Sequence, residues 1–99
     1  MINIDKYLNM SVDMQINGEV ICVKQPSARL TREISALEQD INENNYLDIK
    51  SKIVLMLLNN NASNKVFTEE EISNIPFMVQ DIIVKEITQM ITKADIDPN

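Results

Sequence analysis

Residues 15–20 read QINGEV, and the Asn17-Gly18 pair at their centre constrains the fold more tightly than any other feature of the chain. A type I′ turn needs positive φ at both central residues, which Asn tolerates and Gly adopts freely. The two-residue loop sets Ile16 opposite Glu19, and counting outward pairs Met14 with Ile21 and Val12 with Val23. Side chains alternate along a strand, so Val12, Met14, Ile16, Ile21 and Val23 share one face, while Asp13, Gln15, Val20 and Cys22 take the other. A lone hairpin is marginal in water. Its apolar face must therefore lie on helices or join a larger sheet, if necessary in another subunit.

After the ribbon the pattern becomes helical. Pro26 ends the hairpin, Ser27 is placed to cap a helix, and Leu30, Ile34, Leu37 and Ile41 recur at the spacing of one helix face. This face is the expected seat of the hairpin, so Leu37→Ala is expected to cost about 2–4 kcal/mol. The run Asn42 to Asn45 should stop that helix, since Asn42, Asn44 and Asn45 favour turns and can adopt the left-handed conformation of a C-cap. A second helix from about Tyr46 is expected to bury Tyr46, Leu47 and Ile49. From Ile53 to Leu58 it is apolar all round and should be covered on every side.

Residues 59–65 read as a polar loop. Thr68 and Glu71 then form a capping box, with Phe67 and Ile72 at the hydrophobic-staple positions, so a helix starts at Thr68. Pro76 breaks the chain, and a last helix is expected to about Lys93, with Phe77, Ile83, Val84, Ile87, Met90 and Ile91 on its packing face. Residues 1–10 suit a short helical turn capped by Asn3, with Ile4, Tyr7 and Leu8 on one side, although Ile2 and Ile4 also alternate as in a strand. The expected fold is α+β and mainly α-helical: an N-terminal segment (1–11), a β-hairpin (12–24) and a compact bundle of three to four helices (27–93), with a tail (94–99). At 99 residues this is a single domain.

Composition narrows the function. With 15 acidic residues, 9 basic ones and a net charge of −6, the chain lacks the Lys/Arg field on which nucleic-acid binding leans. Cys22 is the only cysteine, so no internal disulfide or zinc site is available to it, as suits a reducing cytoplasm. The longest apolar run, Ile53 to Leu58, is too short to span a bilayer, and the start of the chain, with Asp5, does not read as a signal peptide. There is no histidine to serve as general base or metal ligand, and one glycine cannot build a phosphate-cradling loop. Glu69, Glu70 and Glu71 suit the positive end of a helix better than a cation site, and Asp95 and Asp97 have no companion ligands. The chain is expected to be a cytoplasmic non-enzyme with no cofactor and no metal.

Some apolar residues exceed what the core needs. Met78, Val79 and Ile82 fall outside or at the edge of the last helix's packing face, sharing a side with Glu86, Gln89 and Lys93. Leu55 and Met56 lie similarly off the main face of the second helix. These five residues are the candidate surface for a partner or for self-association, and flexible Met suits varied partners.

The hairpin INGEVICVKQPS, the helix opening PSARLTREI, the hydrophobic second helix, the break FTEEEISNIP and the long last helix together resemble the tail assembly chaperones of long-tailed bacteriophages, a group that also serves prophages and phage-tail-like bacteriocins. The resemblance covers about residues 12–93 and includes no catalytic signature. It implies a cytoplasmic protein that coats the long, largely helical tape measure protein and helps recruit tail tube subunits. In that family a longer form is often made by a ribosomal frameshift near the end of the gene. A different class also fits the composition: a small regulatory adaptor or inhibitor, such as an antirepressor, that covers one patch on a folded partner. An acidic mimic of nucleic acid fits less well, because Lys and Arg interrupt the acids.

Overall fold

The computed structural model describes residues 1–91. In chain order the elements are α1 (Asp5–Leu8), β1 (Ser11–Ile16), β2 (Glu19–Lys24), α2 (Ala28–Gln39), α3 (Tyr46–Leu58), α4 (Glu69–Ser73) and α5 (Phe77–Thr88). The fold is α+β: a hairpin followed by helices, as the residue pattern predicts. β1 and β2 pair antiparallel in the expected register, Ile16 with Glu19, Met14 with Ile21 and Val12 with Val23. Asn17 and Gly18 carry the positive φ of the turn, 52° and 85°. Ile21 and Val23 are buried, while Val12, Met14 and Ile16 pack beside them half-buried.

Residues 60–63 tie the outer edge of β2 to the rest of the chain, in a loop braced by the side chains of three consecutive asparagines. The Lys24 N–H donates to the Asn60 carbonyl and the Ala62 N–H to the Cys22 carbonyl, both at 2.9 Å. Asn60 Nδ2 adds bonds to the Lys24 and Gln25 carbonyls. Asn59 accepts from the Phe67 N–H and donates to the Phe67 carbonyl, as a neighbouring strand would. Asn61 bridges the Leu58 and Lys65 carbonyls and accepts from the Ser63 and Lys65 amides. A side-chain amide carries both a donor and an acceptor, so this polar loop can substitute for a third strand.

α3 is the hub. Its Ile49, Ile53, Val54, Leu57 and Leu58 are buried with Ile21, Val23, Phe67, Ile72, Ile83, Ile87 and Met90 in one cluster. α2, α4 and α5 all pack on it. Several expectations are corrected here. α2 buries no residue fully: Ile34 and Leu37 are half-buried at the margin of the cluster, and Ile41 lies beyond the helix, exposed. The hairpin's buried residues instead join the core built around α3, because only a helix apolar on every side can receive a hairpin and three helices at once. Tyr46 and Leu47 are exposed, with the Tyr46 ring tilted against Phe77 at 5.7 Å between centroids. Leu55 and Met56 are only half-buried, so the end of α3 is not covered on every side.

The ends of the helices follow local chemistry. Ser27 caps α2 by accepting from the Leu30 N–H at 3.1 Å. Its C-terminus is not left-handed, since Asp40 has φ −93°. Asn42 instead accepts from the amides of Asn44 and Asn45, while Asn45 Nδ2 donates to the Asp40 carbonyl, so side-chain bonds make the stop. α1 has Ile4, not Asn3, at its N-cap, with no side-chain bond, and Ile4 and Leu8 are exposed. Gln25 Nε2 donates to the Tyr7 carbonyl and holds α1 beside the ribbon. α5 ends at Thr88 with Gln89 as its C-cap, short of the expected Lys93; Lys93 itself, Asp95, Asp97 and the tail lie outside the described residues.

The capping box forms. Thr68 Oγ1 accepts from the Glu71 N–H at 3.1 Å, and a Glu71 carboxylate oxygen accepts from the Thr68 N–H at 3.2 Å. That backbone bond, with Lys65 Nζ 3.3 Å from the carboxylate, holds Glu71 below the usual carboxylate range. Thr68→Ala is expected to cost about 1 kcal/mol in a urea melt. The Thr68→Ala, Glu71→Ala double variant should lose less than the sum of the singles, since each single change already breaks the reciprocal pair. Because the folded pKa of Glu71 is lowered, its contribution is present above the unfolded pKa and fades as pH falls through the folded one. Acid titration of Glu71→Gln should therefore converge with the parent at low pH.

Candidate protein-binding groove

The sequence places Met78, Val79 and Ile82 on the side of the last helix turned away from its packing face. In the fold they are exposed by 79%, 41% and 58% respectively. The reason is periodicity: Gln80, Ile83 and Ile87 recur on the buried side of α5, which turns Val79 and Ile82 outward. Beside them runs an open groove of about 460 Å³. Met14 and Ile16 of β1 form one wall, and Ile75, Pro76, Val79 and Ile82 form the other. Glu71 and Glu86 also line it, and among the described residues no Lys or Arg does.

The five candidate residues are not all brought together. Val79 and Ile82 share this groove, with Met78 exposed on the same helix. Leu55 and Met56 line a separate, shallower groove between α2 and α3, beside Leu30 and Arg29. Met14, Ile16, Ile75 and Pro76 escape a reading of the sequence as binding residues, because the hairpin pattern marks the first two simply as core. The half-burial of Met14 and Ile16 shows that the core covers only part of each.

Gln80 is another residue that the sequence leaves unremarked. It is 3% exposed, and its Nε2 donates to the carbonyls of Ile72 and Ile75, while Ser51 Oγ donates to its Oε1. Its position three residues before Ile83 was the available signal, since it falls on the buried stripe. Nearby, Lys50 pairs with Asp81 and lies over the Phe77 ring, pinning the first turn of α5 to α3. Together these contacts fix the floor on which Val79 and Ile82 stand.

The groove offers apolar surface and carboxylates, the equipment of a site for a protein segment. Among the described residues no group of His, Cys, Asp and Glu is placed to hold a metal ion. No described helix is long and apolar enough to cross a membrane. Compared with known protein families, curated proteins and solved structures, the chain finds no match.

Proposed function

We propose that the chain is a tail assembly chaperone of the long-tailed phage type, which binds the tape measure protein and helps recruit tail tube subunits during tail morphogenesis. The observation that carries the protein-binding part is the exposed apolar strip Met78, Val79 and Ile82 beside a groove of further apolar side chains. Single exposed apolar residues are ordinary, but a contiguous strip continuing into an apolar groove marks a surface that a partner covers. The phage assignment rests on the resemblance of residues 12–93. It is supported by the order of the hairpin, the Ser27-capped helix, the Thr68 capping box and the Pro76 break in the fold.

Co-expression with the tape measure protein of the same tail gene cluster, followed by light scattering on the purified complex, tests the reading. Many copies per client are expected. One or two copies on a folded target would instead identify the small regulatory adaptor or antirepressor. The absence of any complex would overturn the chaperone assignment. Ile82→Glu should keep the helical circular dichroism, since its side chain already faces solvent, and lose co-purification. A variant that folds and still co-purifies would remove this strip from the interface.

A further inference from the structure

We infer that the open edge of β1, with the groove beside it, takes an extended peptide segment of alternating apolar and basic residues as an added strand. In an antiparallel pair, residues alternate between those that exchange hydrogen bonds with the partner strand and those whose N–H and C=O point outward. Ile16 and Glu19 flank the two-residue turn and bond each other, so Met14 and Val12 also point inward, and Asp13 and Gln15 point out. The other strand obeys the same parity: Cys22 and Lys24, which face Asp13 and Ser11, direct their backbone groups to residues 60–63. The loop thus covers the edge of β2, while the outward N–H and C=O of Asp13 and Gln15 meet no partner among the described residues. An uncovered edge is a template for strand addition.

The alternation of the guest follows from the two faces. Side chains of an added strand that point inward would fall on Met14, Ile16, Val79 and Ile82, so they must be apolar. Those pointing outward would stand beside Asp13, on a strand with no basic residue, and basic side chains match it. The net charge of −6 favours the same sign. A second copy of β1 is the poorer guest, because antiparallel pairing centred on Asp13 sets Asp13 against Asp13 and pairing centred on Met14 sets it against Gln15, so neither register offers Asp13 a basic partner. The inference rests on the protein-binding reading of this groove, and it suits a chaperone that meets its client before the client's own structure has formed.

The test uses the full chain, isotope-labelled, with a capped eight-residue peptide alternating valine and lysine; a valine and glutamate peptide serves as control. At nine-tenths occupancy the amides of Asp13 and Gln15 should exchange about tenfold more slowly, because only the free tenth exchanges. Asp13→Lys, on the outer face, should weaken the lysine peptide and strengthen the glutamate one. Ile82→Glu should weaken binding of the lysine peptide at least about tenfold. Binding without protection of these two amides, as a helical guest would give, overturns the proposal. So does equal binding of both peptides, or protection that grows with protein concentration alone, which would identify a second copy. A peptide that binds as expected while the tape measure protein does not would leave this inference standing and remove the phage assignment.

Discussion

Leu58→Ala is expected to cost about 3–4 kcal/mol, and Leu37→Ala only about 1 kcal/mol, although both replace a helical leucine by the same residue. Leu58 is fully buried at the end of α3, at the centre of the cluster that unites the hairpin with α4 and α5. Truncating it removes the transfer free energy of the side chain and leaves a cavity, because neighbours on every side are themselves held in place. Leu37 sits half-buried on α2, where water already reaches part of the side chain and can fill the space. For a domain this small, with total stability of about 5–10 kcal/mol, the Leu58 change should lower the melting temperature by roughly 15–25 °C. Urea melts of the two variants decide the matter. Equal losses would mean that α2, not α3, closes the core over the hairpin.

The contrast between these two leucines shows what the sequence can and cannot say about packing. Periodicity identifies which face of a helix is apolar, but not which neighbour will cover it. The stripe of Leu30, Ile34 and Leu37 was legible, and so was the apolar face of the hairpin, but not that Ile34, Leu37 and the hairpin all join the cluster built around α3. Both compete for the one helix that is apolar on every side, and the hairpin takes the better-buried place. Signals confined to a few residues did better. Asn17-Gly18 set the register of the sheet, and Thr68 with Glu71 set the start of α4, because each depends only on bonds within four residues.

The groove shows the opposite limit. Val79 and Ile82 were identifiable as surplus to their helix, but the facing wall of Met14 and Ile16 lies more than sixty positions away. No spacing relates the two. They meet because α4 and α5 turn around Pro76 and bring the start of α5 under the hairpin tip. Similarly, the polar run at residues 59–61 was readable as a loop, while its role as a cover for β2 depends on where that strand lies after folding.

The turn around Pro76 leads to the second large effect, expected at Gln80. Pro76 has no N–H, so the Ile72 carbonyl cannot receive the bond that a continuous helix would supply four residues on. Gln80 Nε2 donates to that carbonyl at 3.2 Å and to the Ile75 carbonyl at 3.1 Å, while its Oε1 accepts from Ser51 Oγ of α3 at 3.2 Å. One buried side chain thus joins α4, α5 and α3. Gln80→Ala should cost about 2–3 kcal/mol, since it takes the donor from the half-buried Ile75 carbonyl and the acceptor from Ser51 Oγ as well as opening space, while the Ile72 carbonyl keeps the Ile75 N–H at 3.0 Å. Gln80→Leu fills the space and restores no donor, so it should recover little of the loss. Gln80→Glu should be at least as damaging, because a carboxylate cannot donate to either carbonyl. If Gln80→Leu proves as stable as the parent, the residue acts by packing alone. If the donor matters, Gln80→Leu should also lose affinity for a segment bound in the groove, because the angle between α4 and α5 sets the distance between Ile75 and Ile82. Measuring stability and peptide binding on the same variant separates these outcomes: a stable variant that still binds leaves Gln80 a filler, whereas loss of both makes its amide the hinge pin of the groove.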